Sequence, residues 1–66
     1  MSSEELAEFE DIHCEFDTVK AIKVTVEGKV RWIPKSLIHD NSEVYKKGTE
    51  GKLVVPQWWA EEEGLV

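Results

Sequence analysis

A single cysteine in a chain of 66 residues is the feature that most restricts the fold. A domain this short buries only about 60% of the surface its unfolded chain exposes, and its core seldom supplies more than about 3–5 kcal/mol without a staple. Cys14 has no partner for an internal disulfide, and no CxxC or CxxH spacing offers a closed zinc site. Aromatic packing and association with another chain are the staples that remain. Trp32, Trp58, Trp59, Phe9, Phe16 and Tyr45 supply the first, because each buried aromatic removes about 150–250 Å² from water. The expectation is therefore one small domain over residues 1–66 with one core.

Charge divides the chain more sharply than its net value of −6 implies. Residues 1–17 hold Glu4, Glu5, Glu8, Glu10, Asp11, Glu15 and Asp17 and no Lys or Arg. Residues 18–38 reverse the sign with Lys20, Lys23, Lys29, Arg31 and Lys35 against Glu27, and Glu61, Glu62 and Glu63 close an acidic far end. Carboxylates at that density repel one another unless something basic receives them. Two receivers are open. The Lys20–Lys35 hairpin would make the charges structural, whereas a partner protein with a basic surface would make the seven N-terminal acids its binding face, extended by Trp58, Glu61 and Glu62.

Periodicity supplies the elements. Ser2 to about Asp11 reads as a short acidic helix, with Ser2 and Glu5 at capping-box spacing and Leu6 and Phe9 three apart. Ile12, Cys14 and Phe16 then alternate with the period of a strand. Val19–Val26 is a clear strand, Glu27-Gly28 a tight turn, and Lys29–Ile33 its return, with Val30 and Trp32 expected on the inward face and Trp32 anchoring the core. Pro34 ends that ladder, Leu37 and Ile38 re-enter the core, and His39–Lys47 makes a surface excursion pinned by Val44 and Tyr45. Lys52–Val55 forms a last strand. Pro56 starts a helix over Gln57–Glu63, Gly64 supplies its left-handed cap and Leu65 folds back. On that helix Trp58 and Trp59 cannot both face the core.

These elements predict an α+β, mainly β fold: a small antiparallel sheet or SH3-like half-barrel of three to four strands with a short N-terminal and a short C-terminal helix. Residues 1–11 form its acidic N-terminal segment and residues 12–66 its β domain. A flat sheet crossed by a helix is the alternative architecture.

Two stretches, Trp32-Ile33-Pro34-Lys35-Ser36-Leu37-Ile38 and Leu53-Val54-Val55-Pro56-Gln57-Trp58-Trp59-Ala60-Glu61-Glu62-Glu63-Gly64-Leu65, together with Lys20-Ala21-Ile22-Lys23-Val24, resemble a set of small proteins that recur in phages and mobile elements. The resemblance implies a phage or plasmid accessory protein and carries no mechanism with it. The acidic first seventeen residues fall outside its pattern.

No catalytic, cofactor or metal constellation emerges. His13 and Cys14 are adjacent, so on a strand they point to opposite faces, which is poor geometry for a shared metal or a nucleophile and base. Glu61–Glu63 lack the enclosed cleft that acid and base carboxylates require, and the glycines stand singly at turns, with no phosphate-binding loop. Without a long apolar run or a signal-like N-terminus, the expected setting is the cytoplasm, with no membrane partner.

One constellation has binding chemistry of another kind. Trp32, Trp58 and Trp59 beside Lys23, Lys29, Arg31 and Lys35 could stack and neutralise a single-stranded nucleic acid, but a net −6 chain repels phosphate. The leading expectation is a non-catalytic, phage-encoded inhibitor, of anti-CRISPR or other counter-defence type, occupying a basic site on a nucleic-acid-handling protein. A single-strand-binding mini-barrel and a structural or oligomeric component of a larger assembly are the alternatives.

Overall fold

A computed structural model of the chain describes residues 5–66. Its elements are β1 (Leu6–Asp17), β2 (Ala21–Val26), β3 (Lys29–Pro34), a 3-10 turn (Lys35–Leu37), β4 (Glu50–Pro56) and α1 (Gln57–Glu62). The strands form one open antiparallel sheet in the order β3-β2-β1-β4.

The longest strand replaces the expected N-terminal helix over its described part, Leu6–Asp11; Ser2 and Glu4 lie outside the described residues. The three-residue spacing of Leu6 and Phe9 is not the spacing that packs. Ala7 and Phe9 are buried while Glu8 and Glu10 are exposed, which is strand alternation. A short isolated helix is marginal in water. The strand instead gains a ladder in which Leu6, Ala7, Glu8 and Phe9 oppose Pro56, Val55, Val54 and Leu53. β1 runs on through residue 11, so the acidic segment is structurally continuous with the sheet.

Between Phe9 and Ile12 the inward alternation would fail by one residue, and a β-bulge absorbs the difference. Phe9 opposes Leu53 and Ile12 opposes Gly51, so three steps along β1 match two along β4. Asp11 takes the left-handed conformation at φ 58°, which Asp tolerates better than most side chains. Ile12 and Cys14 thereby stay in the core, and Glu10 and Asp11 are both exposed. A second irregularity, between Cys14 and Phe16 in the pairing with β2, puts Phe16 outside.

Glu27 and Gly28 both have positive φ, 51° and 82°, which makes the hairpin turn type I′. Val26 then opposes Lys29, Val24 opposes Arg31 and Ile22 opposes Ile33. Opposed residues share a face, so Ile33 joins Ile22, Val24 and Val26 inside, while Val30 and Trp32 point out. The expected inward placement of Val30 and Trp32 is thus corrected, for Trp32 is 48% exposed. Alternation counted straight through a two-residue turn loses its parity there.

Trp59, 6% exposed, is the tryptophan that fills the core, from α1 on the inner side. Trp58 beside it is half exposed, as adjacent helical positions require. The helix closes in a Schellman motif: Leu65 N–H donates to Ala60 O at 2.9 Å, Gly64 N–H to Glu61 O at 3.2 Å, and Gly64 has φ 73°. Leu65 is buried by the reversal. Lys29 Nζ then donates to Gly64 O at 2.8 Å and Arg31 Nη2 to Glu63 O at 3.0 Å, tying β3 to the negative end of α1.

The β4 edge is covered. His39 N–H donates to Val54 O at 3.0 Å, Glu43 N–H to Lys52 O at 2.7 Å, and Val54 N–H to Ser42 Oγ at 3.2 Å, while Val44 is fully buried. The polar stretch after the 3-10 turn is therefore a strap on the sheet.

These placements give opposite expectations for two tryptophans. Trp59→Ala should cost about 3–5 kcal/mol, close to the stability of a domain this size. Trp32→Ala should cost only about 1 kcal/mol, the order of an aromatic pair contact. Urea unfolding of both variants checks the assignment, and equal losses would contradict it.

Candidate functional site

The outward positions of β1 carry Glu8, Glu10, Asp11, His13 and Glu15, all exposed. Alternate strand positions stand about 6.7 Å apart, and the bulge adds a further carboxylate by turning Glu10 and Asp11 out together. Compensation is slight. Lys52 Nζ approaches Glu8 at 3.9 Å, Thr25 Oγ1 donates to Glu15 at 2.7 Å, and His13 Nδ1 lies 3.3 Å from Glu50. No hydrogen bond or ion pair joins Glu10 or Asp11 to a side chain of the described residues. A shallow recess beside the bulge, between β1 and the hairpin turn, is bordered by Glu8, Glu10, Asp11 and Glu27.

Other acids singled out from the sequence are placed differently. Glu5 is exposed just before β1, and its carbonyl accepts Gln57 N–H at 2.9 Å. Glu61 and Glu62 are exposed on α1, and Glu61 borders a recess with Glu5, Gln57 and Trp58. That recess belongs to the helix end of the molecule, and the β1 row does not border it. Glu4 lies outside the described residues.

Asp17 is engaged within the chain. Its Oδ1 accepts Lys47 N–H at 3.1 Å and its Oδ2 accepts Lys35 Nζ at 3.3 Å. The backbone donor of Lys47 first, and then the Lys35 ammonium, hold its carboxyl below its ordinary value of 3.8. The pairing fastens the end of β1 to the 3-10 turn and to the loop before β4.

On the same outward face, toward β3, is an aromatic patch of which the sequence indicated Trp32 and Lys23 but neither Phe16 nor Val30. Phe16 and Trp32, 47% and 48% exposed, meet edge to face with centroids 6.3 Å apart. Val30 lies on the same strand face as Trp32, Lys23 sits directly across from Trp32, and Lys47 Nζ stands 5.8 Å from the Phe16 ring centre. Counting parity inward from both sides of the Glu27-Gly28 turn would have found Val30 and Trp32. Nothing in the sequence marked the second bulge that exposes Phe16.

Reactive groups are dispersed. His13 is exposed and Cys14 fully buried on opposite faces of β1. Burial pushes the Cys14 thiol above its ordinary 9.0, and its Sγ donates to Phe16 O at 3.2 Å, so it is a packed thiol and a poor nucleophile. His39 Nδ1 accepts Asn41 N–H at 3.1 Å within the strap. Among the described residues no group of three His, Cys, Asp or Glu is arranged to hold a metal ion, and no helix is long and apolar enough to cross a membrane. Comparison with protein-family models, characterised proteins and solved structures finds no match to this chain.

The Asp17 contacts fix a pH dependence. A carboxyl whose pKa is lower folded than unfolded stabilises the fold above its unfolded pKa, and the contribution fades as pH falls through the folded value. Asp17→Asn should melt below the parent at neutral pH, with the gap narrowing toward about pH 3. Thermal melts across that range check it, and a gap independent of pH would contradict the assigned contacts.

Proposed function

We propose that this chain is a small, non-catalytic protein-binding module that presents the outward row of β1 to a basic site on a nucleic-acid-handling protein. The supporting observation is where the hairpin cations go. Lys29 and Arg31 turn to the carbonyls of Gly64 and Glu63, and Arg31 Nε also lies 3.2 Å from Glu63 Oε1. Among the described residues no Lys or Arg of the hairpin forms an ion pair with Glu8, Glu10, Asp11 or Glu15. Carboxylates held in a rigid row steer a cationic surface toward them and speed its capture.

A phage-encoded inhibitor of anti-CRISPR or other counter-defence type, acting in the cytoplasm, is the concrete form of this proposal. It accords with the resemblance of the Trp32–Ile38 and Leu53–Leu65 stretches to phage and mobile-element proteins. The SH3-like half-barrel belongs to the same proposal as a description of the platform, since register irregularities of the kind β1 shows twice bend a strand.

A second role, binding single-stranded nucleic acid, draws on one observation: the exposed Phe16 and Trp32 rings lie beside Lys23 and Lys47. Stacking on such rings contributes about 1–3 kcal/mol per base. The net charge of −6 works against it.

Glu8→Lys combined with Glu10→Lys tests the acidic row directly, because neither residue is buried. Parent protein immobilised against a lysate of its host should retain proteins with basic nucleic-acid-binding sites, identified by mass spectrometry. The double variant should remain folded and lose them, with an association rate reduced about tenfold and less sensitive to salt. Retention of the same proteins at the same rate would contradict the proposal. Tryptophan quenching by a single-stranded oligonucleotide at submicromolar concentration in physiological salt would favour the second role instead.

A further inference from the structure

The outer edge of β3 is one end of the sheet. In a type I′ hairpin the residues flanking the turn form a hydrogen-bonded pair, and the ladder alternates from there. Val26 with Lys29, Val24 with Arg31 and Ile22 with Ile33 hold the bonded positions. Val30 and Trp32 hold the alternate ones, so their N–H and C=O groups turn away from β2. Arg31 Nη1 donates to Val30 O at 2.8 Å, and among the described residues no backbone bond outside the β2 ladder reaches Val30 N–H or either backbone group of Trp32.

Exposed edges are ordinarily blunted by charge, by proline or by a covering segment. The β4 edge has its strap, and β3 has no such cover among the described residues. Lys29 is drawn down onto the carbonyl of Gly64, whereas Arg31 reaches both Glu63 O and Val30 O, so the groups left open along the edge are Val30 N–H and the backbone of Trp32. On the outward face the strand offers Val30 and Trp32, continued inward by Phe16. Its own charges have one sign, two lysines and an arginine from Lys29 to Lys35, and Glu63 offsets Arg31 and Asp17 offsets Lys35, which among the described residues leaves Lys29 as the cation without a carboxylate beside it.

We propose that β3 is a docking edge for an extended segment of a partner protein, which adds to the sheet as a fifth strand. Apolar side chains at alternate positions of that segment lie beside Val30 and Trp32, and an acidic one between them faces the ammonium of Lys29, which meets only a neutral carbonyl among the described residues. Opposite charges across adjacent strands attract and like charges repel. A second copy of β3 would set Lys29 and Arg31 against their own kind, so the charge of the edge selects an acidic partner over self-pairing. This site is separate from the acidic row of β1 and stands or falls without it.

The full-length chain, immobilised, is used to select from a displayed library of random peptides about twelve residues long. The enriched peptides should alternate apolar and acidic residues. Their affinity should fall at least about tenfold in Val30→Pro, which removes an N–H directed away from β2 and is tolerated at a strand edge, and in Trp32→Ala. A bound peptide should also slow hydrogen exchange at the Val30 and Trp32 amides of the unsubstituted protein by at least about tenfold, a readout that holds even where Val30→Pro does not fold. Enrichment of basic peptides, no enrichment at all, unchanged affinity in a folded Val30→Pro, or no slowing of those amides would each overturn the proposal. So would binding of oligothymidine that requires Trp32 and ignores Val30→Pro, which would assign the patch to nucleic acid.

Discussion

One extra residue in β1 decides what the longest strand buries. A strand changes face with every residue, so a slip of one would turn its whole inward set to solvent. β1 has to bury Ala7 and Phe9 against β4 and Ile12 and Cys14 where it passes to β2, and these two pairs are out of phase. The bulge at Glu10 and Asp11 reconciles them. Leu53, Val55, Ile22, Val24 and Ile33 can then share one core, which α1 covers with Trp59 and Ala60. The same residue that rescues the core adds a carboxylate to the outside, which links the packing requirement to the candidate binding surface.

Charge is organised around that division. The cations of β3 lie on the inner side of the sheet and satisfy the carbonyls that end α1, which fastens the C-terminal tail across the sheet to the edge opposite the strand it follows. Lys35 is held by Asp17. Attraction between the acidic and basic halves of the sequence is thus used at specific points, and it leaves the middle of β1 uncompensated. The outward face acquires two characters, a carboxylate row along β1 and an aromatic patch bordered by lysines toward β3.

Where local chemistry determined conformation, the sequence could be read. Glu27-Gly28 pointed to a tight turn, Pro56 to a helix start, and Gly64 with Leu65 to a left-handed cap and a reversal, and each is present. β2 and β4 followed from alternation. Two failures came from long-range register. Leu6–Asp11 was legible as a helix because its caps are local, whereas the β4 ladder that makes it a strand is contributed from residue 50 onward. Trp32 was counted inward because parity was carried through the turn. Of the candidate site, Glu8, Glu10, Asp11 and Glu15 were legible as a charge cluster, and their sharing one face was not. Asp17 belonged to the same cluster in sequence, but Lys35 and the Lys47 amide take it up.

Thermal unfolding of a variant lacking Asp11, beside Asp11→Gly, tests the central role of the bulge most directly. Glycine adopts positive φ without steric cost, so Asp11→Gly should fold and melt at or above the parent temperature. Removing the residue should put Ala7 and Phe9 out of phase with Ile12 and Cys14, and cooperative unfolding should be lost. A deletion variant that melts cooperatively at the parent temperature would show that the strand does not depend on its extra residue.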